Sequence, residues 1–92
     1  MSKLLEELPL GTSVFVGEQQ VGDVRGIYSL GDSKLAEYLN VYWSTMQTEL
    51  LVPTTEVRDI EVRGVVLQGP IETYADLARF DEPSRPDITR LR

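Results

Sequence analysis

The apolar residues of this chain recur in short stretches separated by polar turns, which favours strands over long helices. Valine, isoleucine and the aromatic residues dominate these stretches, and such residues fit a pleated, half-buried sheet. The predicted strands cover residues 12–16, 21–30, 35–43, 49–52, 57–62 and 65–67. Five or six short strands with regular turns between them predict an all-β fold, a small closed or nearly closed β-barrel.

The stretch from Gly11 to Tyr28 organises the predicted barrel. Residues 12–16 form the first strand of a hairpin, and Gly17 opens its turn. The alternation of apolar side chains then changes phase along the second strand, at Gly22 and Gly26. Glycine inside a strand commonly marks a bulge or a barrel corner. We therefore interpret Gly17, Gly22 and Gly26 as structural glycines that let a long, bent strand close the barrel.

The C-terminal part of the chain has a different pattern. Apolar residues at helical spacing predict one short amphipathic helix over residues 71–80. Residues 81–92 contain two prolines and few large apolar side chains, so we expect an extended or disordered tail. The sequence thus predicts one domain over residues 1–80, with its barrel at about 8–68.

Length and charge narrow the class of protein. The 92 residues suit one domain, and the absence of cysteine removes disulfides as a means of stabilising so small a core, which favours oligomerisation. The formal net charge of −6 repels phosphate backbones and anionic membranes. No apolar run reaches the roughly 18–20 residues that a membrane span needs, and the N-terminus lacks the pattern of a signal peptide. We expect a soluble cytoplasmic protein without nucleic-acid binding or membrane insertion.

The residue types argue against catalysis. The chain has no histidine and no cysteine, so it lacks the commonest general base, the usual zinc ligands and a thiolate nucleophile. The stretch GEQQVGDVRG does not end in the GK[ST] of a phosphate loop. We therefore predict no enzyme activity, no cofactor and no catalytic residues.

Three neighbouring carboxylates, Glu56, Asp59 and Glu61, leave one alternative open. They lack the spacing of a calcium-binding EF-hand loop. An ordinary solvated edge is favoured over a weak metal site.

The aromatic residues suggest an interface. A single small core cannot bury every aromatic ring together with the many aliphatic side chains, and exposed aromatic surface often marks a contact site. The alternative is that the barrel interior and the helix absorb them all; a base-stacking platform is disfavoured because basic residues do not flank them. The predicted interface residues are Phe15, Tyr38, Tyr42, Trp43, Leu77 and Phe80.

Four segments taken in order resemble the PRC-barrel family. They are LPLGTSVFVGEQQVGDVRGIYSLG, YLNVYW, ELLVPTTEV and IEVRGVVL, and together they cover roughly residues 8–67. This family includes the cytoplasmic domain of the photosynthetic reaction-centre H subunit, the C-terminal domain of the ribosome maturation factor RimM and many small stand-alone proteins. We expect neither the hydrophobic anchor of the first nor the preceding domain of the second, so the specific functions of these two proteins are not carried over. The resemblance implies a small SH3-like barrel that serves as an adaptor or assembly module, frequently dimeric, with no catalytic residues.

Together these observations lead to one functional expectation with two alternatives. We expect a non-catalytic protein-interaction module that self-associates as a homodimer and contacts an unidentified protein partner, and in which Trp43→Ala weakens assembly. A small-ligand-binding barrel is the alternative, because barrel mouths accept apolar molecules. An enzyme that uses carboxylates alone is the least favoured.

Overall fold

The computed structural model describes residues 5–31, 35–76 and 88–91 of the chain. The strands are β1 (Ser13–Val16), β2 (Gln19–Leu30), β3 (Tyr38–Trp43), β4 (Thr48–Pro53), β5 (Val57–Glu61), β6 (Gly64–Leu67) and β7 (Ile88–Arg90). Three short 3₁₀ helices cover Leu5–Glu7, Thr54–Glu56 and Ile71–Asp76. The mainly β character is confirmed, and β1 to β6 begin and end within three residues of the predicted strands.

The seven strands form one sheet that does not close into a barrel, so this part of the prediction is wrong. The strand order is β4-β3-β2-β1-β6-β5, and β7 pairs with β2. Closure would require hydrogen bonds between the two terminal strands, β4 and β5. The chain instead passes from β4 to β5 through the 3₁₀ turn Thr54–Glu56, where the N–H of Val57 bonds the carbonyl of Thr54.

The predicted C-terminal helix is also wrong. Residues Ile71–Asp76 form a 3₁₀ helix, no helix among the described residues reaches seven residues, and residues 77–80 lie outside the described part of the chain. Ile71 and Tyr74 are three residues apart, a spacing that fits the three-residue turn of a 3₁₀ helix as well as an α-helix. Apolar spacing over so short a segment therefore could not separate the two.

Two bulges bend β2. Val21, Val24 and Ile27 are all buried although they are three residues apart, whereas a regular strand would turn every second side chain inward. The pairing of β2 with β1 shifts register between Val14 and Phe15, which lie opposite the residues next to Val21. The pairing of β2 with β3 shifts register between Val24 and Gly26. Each bulge adds one residue to β2, so that a side chain three positions further along the strand again points into the core.

The three glycines of this region lie at special positions. Gly17 has a φ of 62° in the β1–β2 turn. A Cβ atom at Gly22 would lie 1.6 Å from the backbone oxygen of Tyr42, so β3 can approach β2 only where no side chain intervenes. Gly26 is buried opposite Asn40, beside the second bulge.

The core lies on one face of the curved sheet, and the short segments Leu5–Glu7 and Ile71–Asp76 contribute Leu5, Ile71 and Tyr74 to it. Part of the predicted tail is ordered into the sheet as well. Ile88–Arg90 pairs antiparallel with the end of β2, along the edge that β1 leaves vacant. Residues 81–87 and 92 lie outside the described part of the chain.

Candidate interaction surface

Alternation along β3 separates the aromatic residues between two faces of the sheet. Trp43 points into the core together with Leu39 and Val41, so Tyr38 and Tyr42 lie on the opposite side. We call this second side the outer face; it also carries Phe15 of β1, Tyr28 of β2, Asn40 of β3 and Leu51 of β4.

Phe15 is covered by an arginine from the β5–β6 turn. The Arg63 guanidinium carbon lies 4.6 Å from the centre of the Phe15 ring. The same guanidinium bonds the carbonyl oxygen of Gly17 at 2.9 Å and forms ion pairs with Glu61 at 2.9 Å and Glu18 at 3.3 Å. Several partners therefore hold Arg63 over the ring.

Tyr42 is covered by Arg25, whose guanidinium carbon lies 4.9 Å from the ring centre. The Nε atom of Arg25 lies 2.6 Å from the carboxylate of Asp23. This hydrogen bond and the charge of Asp23 raise the pKa of Arg25. Both charged residues belong to β2, Asp23 just before its second bulge and Arg25 within it, and their contact fixes the guanidinium over the neighbouring strand.

Tyr28 meets Arg90 of β7 in the same way. The guanidinium lies 5.7 Å from the ring centre, bonds the Tyr28 hydroxyl at 3.0 Å and bonds the Arg25 carbonyl at 3.2 Å. Arg90 thereby ties β7 to β2 through its side chain as well as through the sheet.

Three aromatic rings of the outer face thus each have a guanidinium within 6 Å, the distance at which cation–π attraction operates. The covering arginine lowers the amount of bare aromatic surface and leaves N–H groups at the surface. Arginine and aromatic residues are both enriched in protein interfaces. The sequence did not predict these arginines as a group. The one signal for them is an acidic residue two positions before Arg25 and before Arg63.

The predicted interface residues do not form one group in the structure. Phe15, Tyr38 and Tyr42 are partly exposed on the outer face. Trp43 is a core residue, with 2% of its surface exposed, and its ring stacks on Tyr74 at 5.1 Å between centres. It therefore contributes to no surface of the described chain. The remaining two, Leu77 and Phe80, lie outside the described residues.

The carboxylates of Glu56, Asp59 and Glu61 point to different partners. Glu61 pairs with Arg63, and Asp59 accepts a hydrogen bond from the N–H of Ile60. The described residues include no group of three acidic side chains placed to hold a metal ion.

Glu56 instead lies beside a buried tyrosine. The hydroxyl of Tyr74 donates to the carbonyl oxygen of Gln68 at 2.5 Å and lies 3.4 Å from the Glu56 carboxylate. Burial, followed by the charge and the hydrogen bond of Glu56, raises the pKa of Tyr74 to about 12. Tyr74 therefore anchors the last 3₁₀ helix to the core as a neutral phenol.

Strand β4 forms one end of the sheet and pairs, among the described strands, with β3 alone. The hydrogen bond from Thr54 N–H to the Glu37 carbonyl fixes the phase of this pairing, because bonded pairs alternate along an antiparallel ladder. Even-numbered residues of β4 bond to β3, so the backbone groups of Glu49, Leu51 and Pro53 point away from the sheet. Leu50, Leu51 and Val52 are nevertheless only 2%, 5% and 0% exposed, so the middle of this edge is not open to solvent.

Strand β5 forms the other end of the sheet, and its edge is different. Its pairing with β6 shifts register between Val57 and Asp59, and three of its five residues are charged. Bulges and charges are the usual means by which an edge strand is prevented from pairing with another chain. Strand β4 has no such bulge, and its Leu50–Val52 segment is buried and apolar.

No pocket is found in the part of the chain that the structure describes, and none of its helices is long and apolar enough to cross a membrane. Comparison with protein-family models, curated proteins and solved structures gives no match. The resemblance to the PRC-barrel family therefore stays a prediction.

Proposed function

We propose that this protein is a non-catalytic interaction module that associates with a second copy of itself through its sheet. A cytoplasmic location, a homodimeric state and an adaptor role toward another protein belong to the same proposal. The observation that carries it is the outer face, where Phe15 and Tyr42 are partly exposed and each has an arginine over its ring.

The arginines of the outer face support this role. Arg25 and Arg63 lie over aromatic rings and are held there by carboxylates of their own chain. Such side chains lose little further freedom when a partner packs against them, which lowers the cost of association.

Sedimentation velocity of the full chain over a range of micromolar concentrations tests the proposal. We expect a species of twice the 10.4 kDa chain mass that dissociates on dilution. Raising the salt concentration should leave it intact, because salt screens the repulsion between two chains of net charge −6. A chain that stays monomeric at every concentration would contradict the proposal.

A further inference from the structure

We propose that the edge of β2 at residues 27–30 is a strand-binding site that accepts β7 of a second copy, so that two chains associate by exchanging these strands. This inference rests on the proposed self-association and names the segment that each copy donates. Exchange of an identical element between protomers is a low-cost route to a dimer, because the same contacts form whichever copy supplies the element.

The end of β2 is a place that a strand fills. Strand β1 pairs with β2 only as far as Asp23, and β7 pairs with Tyr28, Ser29 and Leu30 further along β2. With β7 in place, Tyr28 and Ser29 are 1% and 0% exposed. Loss of β7 would uncover the Tyr28 ring and remove the hydrogen-bond partners of the β2 backbone, which is costly for buried groups.

The contacts of β7 define what this site recognises. Arg90 lies 5.7 Å from the centre of the Tyr28 ring and bonds its hydroxyl at 3.0 Å. The Thr89 hydroxyl donates to the carbonyl of Gly31 at 2.8 Å. The N–H of Leu91 donates to a β2 carbonyl at 2.7 Å, and its side chain packs against the core. Backbone bonds and side-chain contacts of this kind are typical of recognition by strand addition. Every copy of the chain carries this ligand.

The connection to β7 is long enough for exchange. Among the described strands β7 pairs with β2 alone, so its departure breaks no other strand pair. Eleven residues, 77–87, join the last 3₁₀ helix to β7. An extended segment of this length spans up to about 36 Å, and a small domain is about 30 Å across. The chain can therefore place its β7 on a neighbouring copy.

The exchanged strand lies beside the surface on which the proposed function rests. Arg90 covers Tyr28 on the outer face and bonds the carbonyl of Arg25, which in turn covers Tyr42. In the dimer, Arg90 of the partner subunit makes these contacts. A tethered strand competes for its own site at an effective concentration of about millimolar. Contacts between the two copies at the outer face offset this advantage.

Engineered cysteines at one strand pair test the exchange, since the natural chain contains none. Leu30 and Ile88 face each other across β2 and β7. The hydrogen bond from the Leu91 N–H to the Ile27 carbonyl makes this a non-bonded pair, whose Cα atoms are about 4.5 Å apart. This distance lies within the range of a disulfide. The Leu30→Cys and Ile88→Cys variants are mixed, incubated, mildly oxidised and separated under denaturing, non-reducing conditions.

We expect a covalent dimer from the mixture, because the two cysteines meet only when β7 of one chain lies on β2 of the other. Each variant alone is the matched control and should give no covalent dimer, since its cysteine has no second cysteine opposite. A chain that carries both substitutions should form its disulfide in either arrangement, which checks the pairing of β2 with β7.

Three results would overturn the exchange. One is a mixture without covalent dimer while the double variant forms its disulfide and sedimentation shows a dimer; this result leaves the proposed function standing. Another is a covalent dimer in equal yield from either variant alone, which would show random collision. The third is a double variant without any disulfide. A wild-type chain that stays monomeric in sedimentation would contradict the proposed function itself.

The rate of exchange gives a second test. Arg90→Ala, introduced into both cysteine variants, removes the contacts with Tyr28 and with the Arg25 carbonyl. The covalent dimer should then appear about fivefold faster or more. The dimer dissociation constant should change less than about twofold, because the lost contacts are the same in the closed and the exchanged forms. Arg58→Ala, at an exposed position of β5, is the matched control. Equal rates for the two substitutions would contradict the inference.

Discussion

Replacement of Trp43 by alanine should destabilise the fold of the domain rather than act on its assembly. Trp43 is the sole tryptophan of the chain, it is 2% exposed, and its ring stacks on Tyr74. The sequence placed it among interface residues, for which truncation weakens association and leaves the fold intact. The structure predicts the opposite, a loss of folding stability rather than of association, because the ring fills the core beneath β3.

The magnitude follows from the buried area. A tryptophan side chain buries up to about 250 Å², and roughly 200 Å² of this is lost on truncation to alanine. At about 25 cal/mol per Å² the transfer contribution is about 5 kcal/mol. Measured costs of such truncations in other proteins are about 3–5 kcal/mol. Because small domains have a free energy of unfolding of about 5–15 kcal/mol, this one change removes a large share of the stability.

Urea unfolding followed by far-ultraviolet circular dichroism measures the effect without a tryptophan signal. Tyr42→Ala is the matched control, since Tyr42 is adjacent in β3, aromatic and partly exposed on the outer face. Trp43→Phe keeps an aromatic ring against Tyr74 and should recover part of the loss. A cost below about 1 kcal/mol for Trp43→Ala, or a cost no larger than that of Tyr42→Ala, would refute the placement of Trp43 in the core.

Two further predictions concern the fold. Gly22→Ala should destabilise the domain by about 3 kcal/mol or more in thermal or urea unfolding, since the added Cβ would lie 1.6 Å from the backbone oxygen of Tyr42. Gly69→Ala is the control and should cost less than about 1 kcal/mol, because its Cβ would have no neighbour closer than 3.8 Å. Equal costs of the two substitutions would contradict the close approach of β2 and β3. Tyr74 has a raised pKa of about 12 when folded and an ordinary value of about 10 when unfolded, so its contribution to stability is complete below pH 10 and is lost as the pH rises towards 12. Unfolding measured between pH 9 and pH 12 should therefore show a steeper alkaline loss in the wild type than in Tyr74→Phe, and identical pH dependences would contradict the burial of this hydroxyl.

The candidate surface shows how far the sequence pattern reaches. The period of two along β3 correctly predicts that Tyr38 and Tyr42 share one face and that Trp43 lies on the other. It cannot say which face is the core, because both carry large side chains. The contact with Tyr74, thirty-one positions further along the chain, makes the Trp43 face the interior. The covering of Phe15 by Arg63 likewise depends on the parallel pairing of β1 with β6, which local pattern does not encode.

The sequence by itself determined strands β1 to β6 and the places where the chain turns or bends, but not β7. These features depend on the conformational preferences of residues that are close together in the sequence. Examples are the turn at Gly17 and the loss of apolar alternation near Gly22 and Gly26. Only the tertiary structure decided that the sheet stays open and that residues 71–76 form a 3₁₀ helix. Closure depends on whether β4 and β5 exchange hydrogen bonds, and the preferences of neighbouring residues do not determine that pairing.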